Sequence, residues 1–235
     1  MGADGFFAPE PDELPEILPE NPLPTLGAWL EEAARRSAQP NPNAMCLATA
    51  DERGYPSARI VLCKTLVVER GYLIFYSSYA SRKGRELAAN PRAAAVLHWD
   101  MLGRQARVEG PVLRSPAAES EAYFATRSWR SRLGAAASAQ SRPVESRRAM
   151  QSRVRAKAAE LGVADLDALP HEGDPNIAVP RPADWGGYRL WIESVELWVA
   201  GAARVHDRAR WIRRLEPAGA DGFEPGPWSA GRLQP

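Results

Sequence analysis

Cysteine, histidine and lysine are scarce in this chain of 235 residues. It has two cysteines, three histidines and three lysines, and its other 27 basic residues are arginine. Cys46 and Cys63 lie in separate strand-like segments, and the histidines are far apart in sequence. These residues do not have the spacing of zinc ligands, so we predict no metal site. Two free, buried thiols are expected, because thiols stay reduced in the cytosol.

The sequence also lacks a strong net charge and a long apolar run. Its formal charge of +1 argues against a nucleic-acid or membrane-surface partner, which calls for a more basic chain. No apolar segment approaches the roughly 20 residues that cross a bilayer. The N-terminus lacks the charged and apolar pattern of a signal peptide, so we expect a cytoplasmic protein.

Glycine-rich nucleotide loops are missing as well. Neither G-x-G-x-x-G after a strand nor a P-loop occurs, so a nucleotide-like ligand has to be held in another way. Strands are predicted over 44–50, 57–68, 92–99, 104–114 and 188–199, and Ser81 is expected to cap a short helix that runs to Ala89. Closely spaced strand patterns with a few helices predict an α+β protein, mostly antiparallel, with a barrel-like sheet.

The first 24 residues differ in composition from the rest. They contain six prolines, six acidic residues and no basic residue. We therefore predict a mobile or surface-draped arm over 1–24 that buries little, and a single domain over 25–235. The domain begins with an amphipathic helix from Thr25.

Two segments place cations beside strand ends. Residues 59–64 form a predicted strand with Arg59 and Lys64 at its ends, on opposite faces unless a bulge intervenes. Residues 76–83 join several hydroxyls, Arg82 and Lys83 to the start of a helix. Backbone N–H groups, the helix dipole and these cations can bind a phosphate, although a solvated loop is the alternative.

A third group is Tyr123, Arg127 and Ser131, which are spaced by four residues. On one helix they form a stripe of hydrogen-bond donors, as a second phosphate requires.

The fourth group lies in RVHDRARW, residues 204–211. Arg204, His206 and Arg208 alternate, so in a strand they share one face and can approach an electron-rich or anionic ligand. A charged edge strand that blocks unwanted pairing is the alternative.

One family is distinguished by a series of motifs that this chain contains in order: RIVLCK, FYSSYASRK, GRQARVEG, YFATRSWRSRLG, AQS, ELW, RVHDR and RLQP. From about Leu26 to Pro235 the chain closely resembles the pyridoxine/pyridoxamine 5′-phosphate oxidases. The resemblance implies a homodimeric split β-barrel of Greek-key type with peripheral helices, and FMN at the subunit interface. It implies oxidation of pyridoxine or pyridoxamine 5′-phosphate to pyridoxal 5′-phosphate, with O2 as acceptor and H2O2 released.

The resemblance also assigns site residues. The implied FMN contacts are Arg59, Ile60, Val61, Leu62, Cys63, Lys64, Tyr76, Ser77, Arg82, Lys83, Gln105, Gln140, Ser141, Trp198 and Arg208. The implied substrate contacts are Lys64, Tyr123, Arg127 and Ser131 around the phosphate, with Arg204 and His206 as catalytic residues at the pyridine ring.

The chain departs from the family's pattern in its arm. Family members commonly cover the substrate with basic and tyrosine residues there, and this arm has neither. Two alternatives therefore stay open. One is an FMN oxidase of the same fold, of the phenazine-biosynthesis type, and the other is a non-catalytic binder of FMN or pyridoxal phosphate.

Overall fold

The computed structural model of the protein describes residues 13–163, 165–166, 176–219 and 222–235. The helices are α1 (Leu23–Arg35), α2 (Arg82–Ala89), α3 (Ala117–Thr126), α4 (Trp129–Ala137) and α5 (Arg147–Glu160). The strands are β1 (Ala44–Ala50), β2 (Pro56–Leu62), β3 (Thr65–Val67), β4 (Tyr72–Ser78), β5 (Arg92–Trp99), β6 (Arg104–Arg114), β7 (Trp185–Trp191), β8 (Ser194–Val199), β9 (Asp207–Ile212), β10 (Leu215–Pro217), β11 (Phe223–Pro225) and β12 (Ser229–Arg232). Every helix in these ranges is too short or too polar to cross a membrane.

Ten strands form one antiparallel sheet, with β10 and β11 as a separate hairpin. The main path of the sheet runs β12-β9-β8-β6-β5-β1-β2. The long strand β6 pairs with β8 through its first residues and with β7 through its last three. Through β7 it reaches β4 and β3. The strand β6 therefore belongs to both branches of the sheet.

The core fills the inside of this sheet. Met45 and Leu47 in β1 are fully buried while their neighbours are less so, as expected for a strand with one face on the core. Helix α1 closes the core with Leu26, Trp29 and Ala33, which recur at helical spacing. A smaller apolar cluster, separate from this core, packs α4 against α5.

Several predicted boundaries are wrong. The first helix begins at Leu23 instead of Thr25, because Pro24 is accepted in a first helical turn. A single strand predicted over 57–68 is two strands that break at Cys63 and Lys64. A second single strand, predicted over 188–199, is also two strands, which break at residues 192–193. There the backbone N–H of Ile192 donates to the carbonyl of Gly71, and that of Glu193 donates to the carbonyl of Glu109.

The described part of the arm, residues 13–22, lies against β9. The backbone N–H of Leu14 donates to Asp207 (2.7 Å), and Trp211 Nε1 donates to the carbonyl of Pro19 (2.8 Å). Leu14 itself is 5% exposed. These residues therefore lie against the sheet, and the buried Leu14 is contrary to the expectation that the arm buries little. Residues 1–12 lie outside the described part of the chain.

Candidate active site

A cavity of about 600 Å³ opens between β2, β4, the start of α2 and the α3–α4 corner. Its lining residues are Arg59, Ile60, Val61, Leu62, Lys64, Tyr76, Ser77, Lys83, Tyr123, Arg127, Ser128, Ser131, Gln140 and Trp185. All but Ser128 and Trp185 are residues that the sequence indicated. Two predicted phosphate sites, distant in sequence, thus face one space.

Lys83 is a buried cation at one end of the cavity. Its Nζ donates to Ser77 Oγ (2.8 Å), Ser81 Oγ (3.1 Å) and Gln140 Oε1 (2.9 Å). Burial and the like charge of Arg59 lower the pKa of Lys83 to about 8, against an opposing effect of Glu86. Within the described chain Lys83 has no ion pair, so its nearest contacts are all neutral. A phosphate is the kind of group that this ammonium lacks.

Helix α2 sets the position of Lys83. Ser81 caps the helix, and its Oγ accepts the backbone N–H of Gly84 (3.3 Å), as the sequence predicted. A side chain on Gly84 would meet the carbonyl of Tyr79, so a glycine is needed for the close approach of the helix to the preceding loop.

Arg59 enters the cavity from β2 and is held from behind by Glu86 on α2. Arg59 donates to Thr49 Oγ1 (2.6 Å), to the Ser57 hydroxyl and to Glu86 Oε2 (3.2 Å). Glu86 is 5% exposed. Burial alone raises the pKa of a carboxyl, but hydrogen bonds from Thr49, Ser57 and Arg82 and the charge of Arg59 lower the pKa of Glu86 to about 2. Glu86 therefore stays ionised and fixes Arg59.

Lys64 and Arg59 face the same cavity, because the strand is interrupted between them and the simple alternation that places them on opposite faces does not apply. Strict alternation ends with β2 at Leu62, and Lys64 lies in the link before β3. The intervening Cys63 points elsewhere: its thiol is buried, and burial raises its pKa to about 12. Cys63 lines a different pocket, against α1.

Tyr123, Arg127 and Ser131 meet at the cavity but do not lie on one helix. Helix α3 ends at Thr126, and Arg127 has extended backbone angles. Ser131 belongs to α4, whose N-cap is Ser128. The predicted single stripe is wrong, because the cap at Ser128 starts a new helix there. The corner still brings all three donors to the cavity wall.

A second cluster surrounds β8 and β9 and does not line this cavity. Gln105, Trp198 and Arg208 lie opposite one another on β6, β8 and β9. Arg208 donates to Glu196 Oε1 through Nε (3.0 Å) and Nη2 (2.8 Å).

His206 and Arg204 precede this cluster. The His206 ring is 4.6 Å from the Trp198 ring, and its Nδ1 accepts the backbone N–H of Gly201 (3.2 Å). Arg204 is exposed in a 3₁₀ turn, and its φ of 64° follows a φ of 51° at Ala203. The predicted strand alternation from Arg204 is therefore wrong, since β9 begins only at Asp207.

Two other predicted contacts lie outside the cavity lining. The Arg82 side chain is 59% exposed, and its Nε donates to Glu86 Oε1 (2.8 Å). Ser141 is exposed directly after Gln140, with a φ of 66°. Their proposed role in cofactor binding stays a prediction.

Sequence reasoning missed Ser128 and Trp185. Ser128 could have been found from the sequence, because serine is a preferred N-cap residue, and its side chain accepts the backbone N–H of Ser131 at the start of α4. Trp185 follows an irregular loop, and nothing in its local sequence indicates that β7 pairs with β4.

Sequence comparison relates this chain to proteins of known family. Residues 30–159 match the family model described as pyridoxamine 5′-phosphate oxidase, and residues 185–235 match the pyridoxine 5′-phosphate oxidase C-terminal dimerisation region. The pyridoxine/pyridoxamine 5′-phosphate oxidase of Gluconobacter oxydans is 45% identical over 83% of this chain and 90% of its own length. That of Paraburkholderia phytofirmans is 43% identical over 93% of this chain and 91% of its own.

Solved structures confirm the predicted fold class, a split barrel with peripheral helices. PhzG from Burkholderia lata, in complex with tetrahydrophenazine-1-carboxylic acid, has a TM-score of 0.74 and 30% identity, covering 92% of this chain and 94% of its own. A pyridoxamine 5′-phosphate oxidase-related, FMN-binding protein from Nostoc punctiforme has a TM-score of 0.63 and 17% identity, covering 90% and 97%. With both family regions matched and more than 40% identity to named relatives along most of its length, the chain belongs to the pyridoxamine 5′-phosphate oxidase family.

Proposed function

We propose that this protein oxidises pyridoxine 5′-phosphate and pyridoxamine 5′-phosphate to pyridoxal 5′-phosphate, with FMN as its cofactor. The observation that carries the proposal is the pair of cationic positions in one cavity. Lys83 lies at one position among neutral oxygens, and Arg127 lies at the other with Ser128 and Ser131. Two phosphorylated ligands in contact require two such positions.

The residues present fit FMN. A buried ammonium without a carboxylate partner is costly unless a bound anion compensates it. Ser77 and Gln140 already contact Lys83, and the Ser77 hydroxyl and the Gln140 amide N–H groups can donate to a phosphate. Arg59 lies beside them on the cavity wall. We assign the FMN phosphate to this end of the cavity.

The other end is assigned to the substrate phosphate. Lys64, Tyr123, Arg127 and Ser131 line it, and all four can donate hydrogen bonds. Burial lowers the pKa of Arg127, with Tyr123 opposing, and the guanidinium keeps its charge at any working pH. These residues contact a group remote from the reacting carbon, so they orient the substrate and do not transfer protons.

When bound, FMN supplies the two-electron acceptor. Dioxygen is the proposed terminal acceptor: an alcohol substrate and O2 give the aldehyde and H2O2, and an amine substrate also consumes water and releases ammonia. Arg204 and His206 are proposed to orient the pyridine ring. The imidazole is preset for this, because Nδ1 accepts from Gly201 and leaves Nε2 for a ligand.

The match to a dimerisation region supports the assignment of the second cluster. The C-terminal dimerisation region covers β7 to β12 and contains Trp198, Arg204, His206 and Arg208. We propose that in the homodimer these residues, with Gln105, approach the cavity of the other subunit and complete its FMN and substrate sites. A cytoplasmic location is proposed as well.

The test is peroxide production by the purified, FMN-saturated protein. Peroxide and pyridoxal phosphate are expected in equal amounts from either phosphorylated substrate, and unphosphorylated pyridoxine is the matched control because it lacks the group that Arg127 binds. Peroxide from pyridoxine at the same kcat/KM would overturn the assigned substrate. A yellow protein that forms no peroxide from any of the three would support the non-catalytic binder instead.

The similarity to PhzG favours one second candidate, an FMN oxidase acting on a reduced phenazine carboxylate. Such a substrate has no phosphate, so the donors around Arg127 have no assigned partner in that reaction. Adding tetrahydrophenazine-1-carboxylic acid to the same assay separates the two. Faster flavin reduction by this compound than by pyridoxine phosphate would favour the second candidate.

A further inference from the structure

Arg127 is held in an unusual way for a partly buried cation. Its guanidinium makes no hydrogen bond or ion pair to any residue that the structure describes, and its Nη1 is buried without a partner. Arg59, on the same cavity, is by contrast held by a carboxylate, two hydroxyls and a carbonyl. Something other than hydrogen bonding therefore positions Arg127.

Trp185 supplies that support. The Arg127 guanidinium carbon lies 4.7 Å from the centre of the Trp185 ring and 5.6 Å from that of Phe124. Phe124 packs edge-on against Trp185, with ring centres 5.0 Å apart. A cation over an aromatic face within about 6 Å is attracted by the ring, and tryptophan is the strongest partner.

Trp185 also borders the tyrosine of the proposed phosphate site. The Trp185 and Tyr123 rings are nearly parallel, 5° apart in plane, with centres separated by 6.2 Å. Tyr123 itself stacks on Tyr76 at 3.8 Å. Trp185 is 7% exposed and lies opposite Ser78 at the end of β4, so it is fixed by the sheet.

We infer that Trp185 is a positioning residue that holds Arg127 ready for the substrate phosphate; this rests on the proposed function of the cavity. An acidic partner would neutralise the guanidinium and occupy its N–H donors. An aromatic face fixes the same cation without taking up its N–H donors. The expected cost of losing the face is a factor of roughly two to thirty in phosphate affinity.

The experiment uses Trp185→Leu in the FMN-loaded protein, with Trp185→Phe as the conservative variant. For Trp185→Leu we expect a KM for pyridoxine phosphate raised about tenfold, with kcat and the Kd of FMN within twofold of wild type. Trp185→Phe should recover most of the loss, because it keeps a ring beneath the guanidinium. An unchanged KM in Trp185→Leu would overturn the inference.

Trp191 provides the matched control for lost packing. It lies on the same strand, is fully buried and packs against Tyr72 and Phe223, away from the cavity. Trp191→Leu should lower the unfolding temperature at least as much as Trp185→Leu and leave KM unchanged. An equal rise in KM in both variants would show a general packing effect and refute the positioning role.

A double-mutant cycle tests the route through Arg127. In an Arg127→Ala background, Trp185→Phe and Trp185→Leu should have the same KM, because the supported group is gone. If Trp185→Leu does not fold, the difference between Trp185→Phe and wild type in the two backgrounds gives the same answer.

The inference can be separated from the proposed function by the Kd of inorganic phosphate, measured by calorimetry. Wild type that binds phosphate but does not oxidise pyridoxine phosphate would overturn the function alone. Phosphate binding that is equal in wild type and Trp185→Leu would overturn the inference alone.

Discussion

Replacing Lys83 with methionine should show that this buried ammonium binds the FMN phosphate. The pKa of Lys83 falls from 10.5 to about 8, chiefly through burial and then through the charge of Arg59. At about 1.4 kcal/mol per pKa unit, holding the charged lysine in the FMN-free fold costs roughly 3 kcal/mol. A phosphate restores the lost counter-charge and should raise this pKa again.

The direction of the pH dependence follows from the lowered pKa. In the FMN-free protein the charged lysine lowers the free energy of unfolding by its full amount below about pH 8. This loss disappears as the pH rises toward 10.5, because the lysine of the unfolded chain then loses its proton as well. FMN needs the charged form, and its phosphate is a dianion above about pH 6. The Kd of FMN for the wild type should therefore rise about tenfold between pH 7 and 9.

The assay is quenching of flavin fluorescence at each pH, with Lys83→Met and Lys83→Arg compared with wild type. Lys83→Met removes a charge-assisted contact of roughly 1.5–3 kcal/mol, so its Kd at pH 7 should be about 10- to 150-fold higher and flat with pH. For Lys83→Arg the Kd of FMN should also stay constant with pH, but it should be lower than that of Lys83→Met, because arginine stays charged. A wild-type Kd that does not change with pH, or a Lys83→Met variant that binds FMN normally, would refute the reasoning.

Other changes should each affect one property. Arg127→Ala should raise KM at least tenfold with kcat nearly unchanged, since a remote phosphate contact is equal in ground and transition states. Arg204→Ala should instead slow anaerobic flavin reduction at saturating substrate. If the variant reduces its flavin at the wild-type rate, residues 204–211 are only a charged segment with no role in orienting the substrate. Glu86→Ala should lower the free energy of unfolding in urea by about 2–4 kcal/mol at pH 7. Because its folded pKa is about 2, that contribution should be lost as the pH falls from about 4.5 toward 2, so a pH-independent difference would contradict the assigned ion pair. Deleting residues 1–22 should lower the unfolding temperature by several degrees, because the buried Leu14 is lost, and should leave the Kd of FMN within twofold of wild type. An unchanged melting curve would show that the arm contributes nothing to stability.

Features encoded locally were predictable from the sequence. Strand β1 follows from its short apolar run, and the predicted bounds of β5 and β6 match the structure. The Ser81 cap of α2 depends only on neighbouring residues, and the Lys83 cluster was indicated because it begins that helix. The family resemblance added Gln105 and Trp198 to the second cluster and assigned Arg208, which alternation had only placed on a charged face, to a flavin.

Only the tertiary structure decided how the distant parts of the cavity meet. Tyr123, Arg127 and Ser131 reach one wall across a break between two helices, where residue spacing predicted a continuous helix.

Trp185 reaches Arg127 because β7 pairs with β4, more than 100 residues earlier in the chain. Such pairing depends on which strands bury their apolar faces together, and residue periodicity within a segment does not encode that choice. The sequence by itself therefore determined which side chains carry charge and which local elements present them. The long-range pairing of the sheet decided which of those charges share a cavity and what holds each one in place.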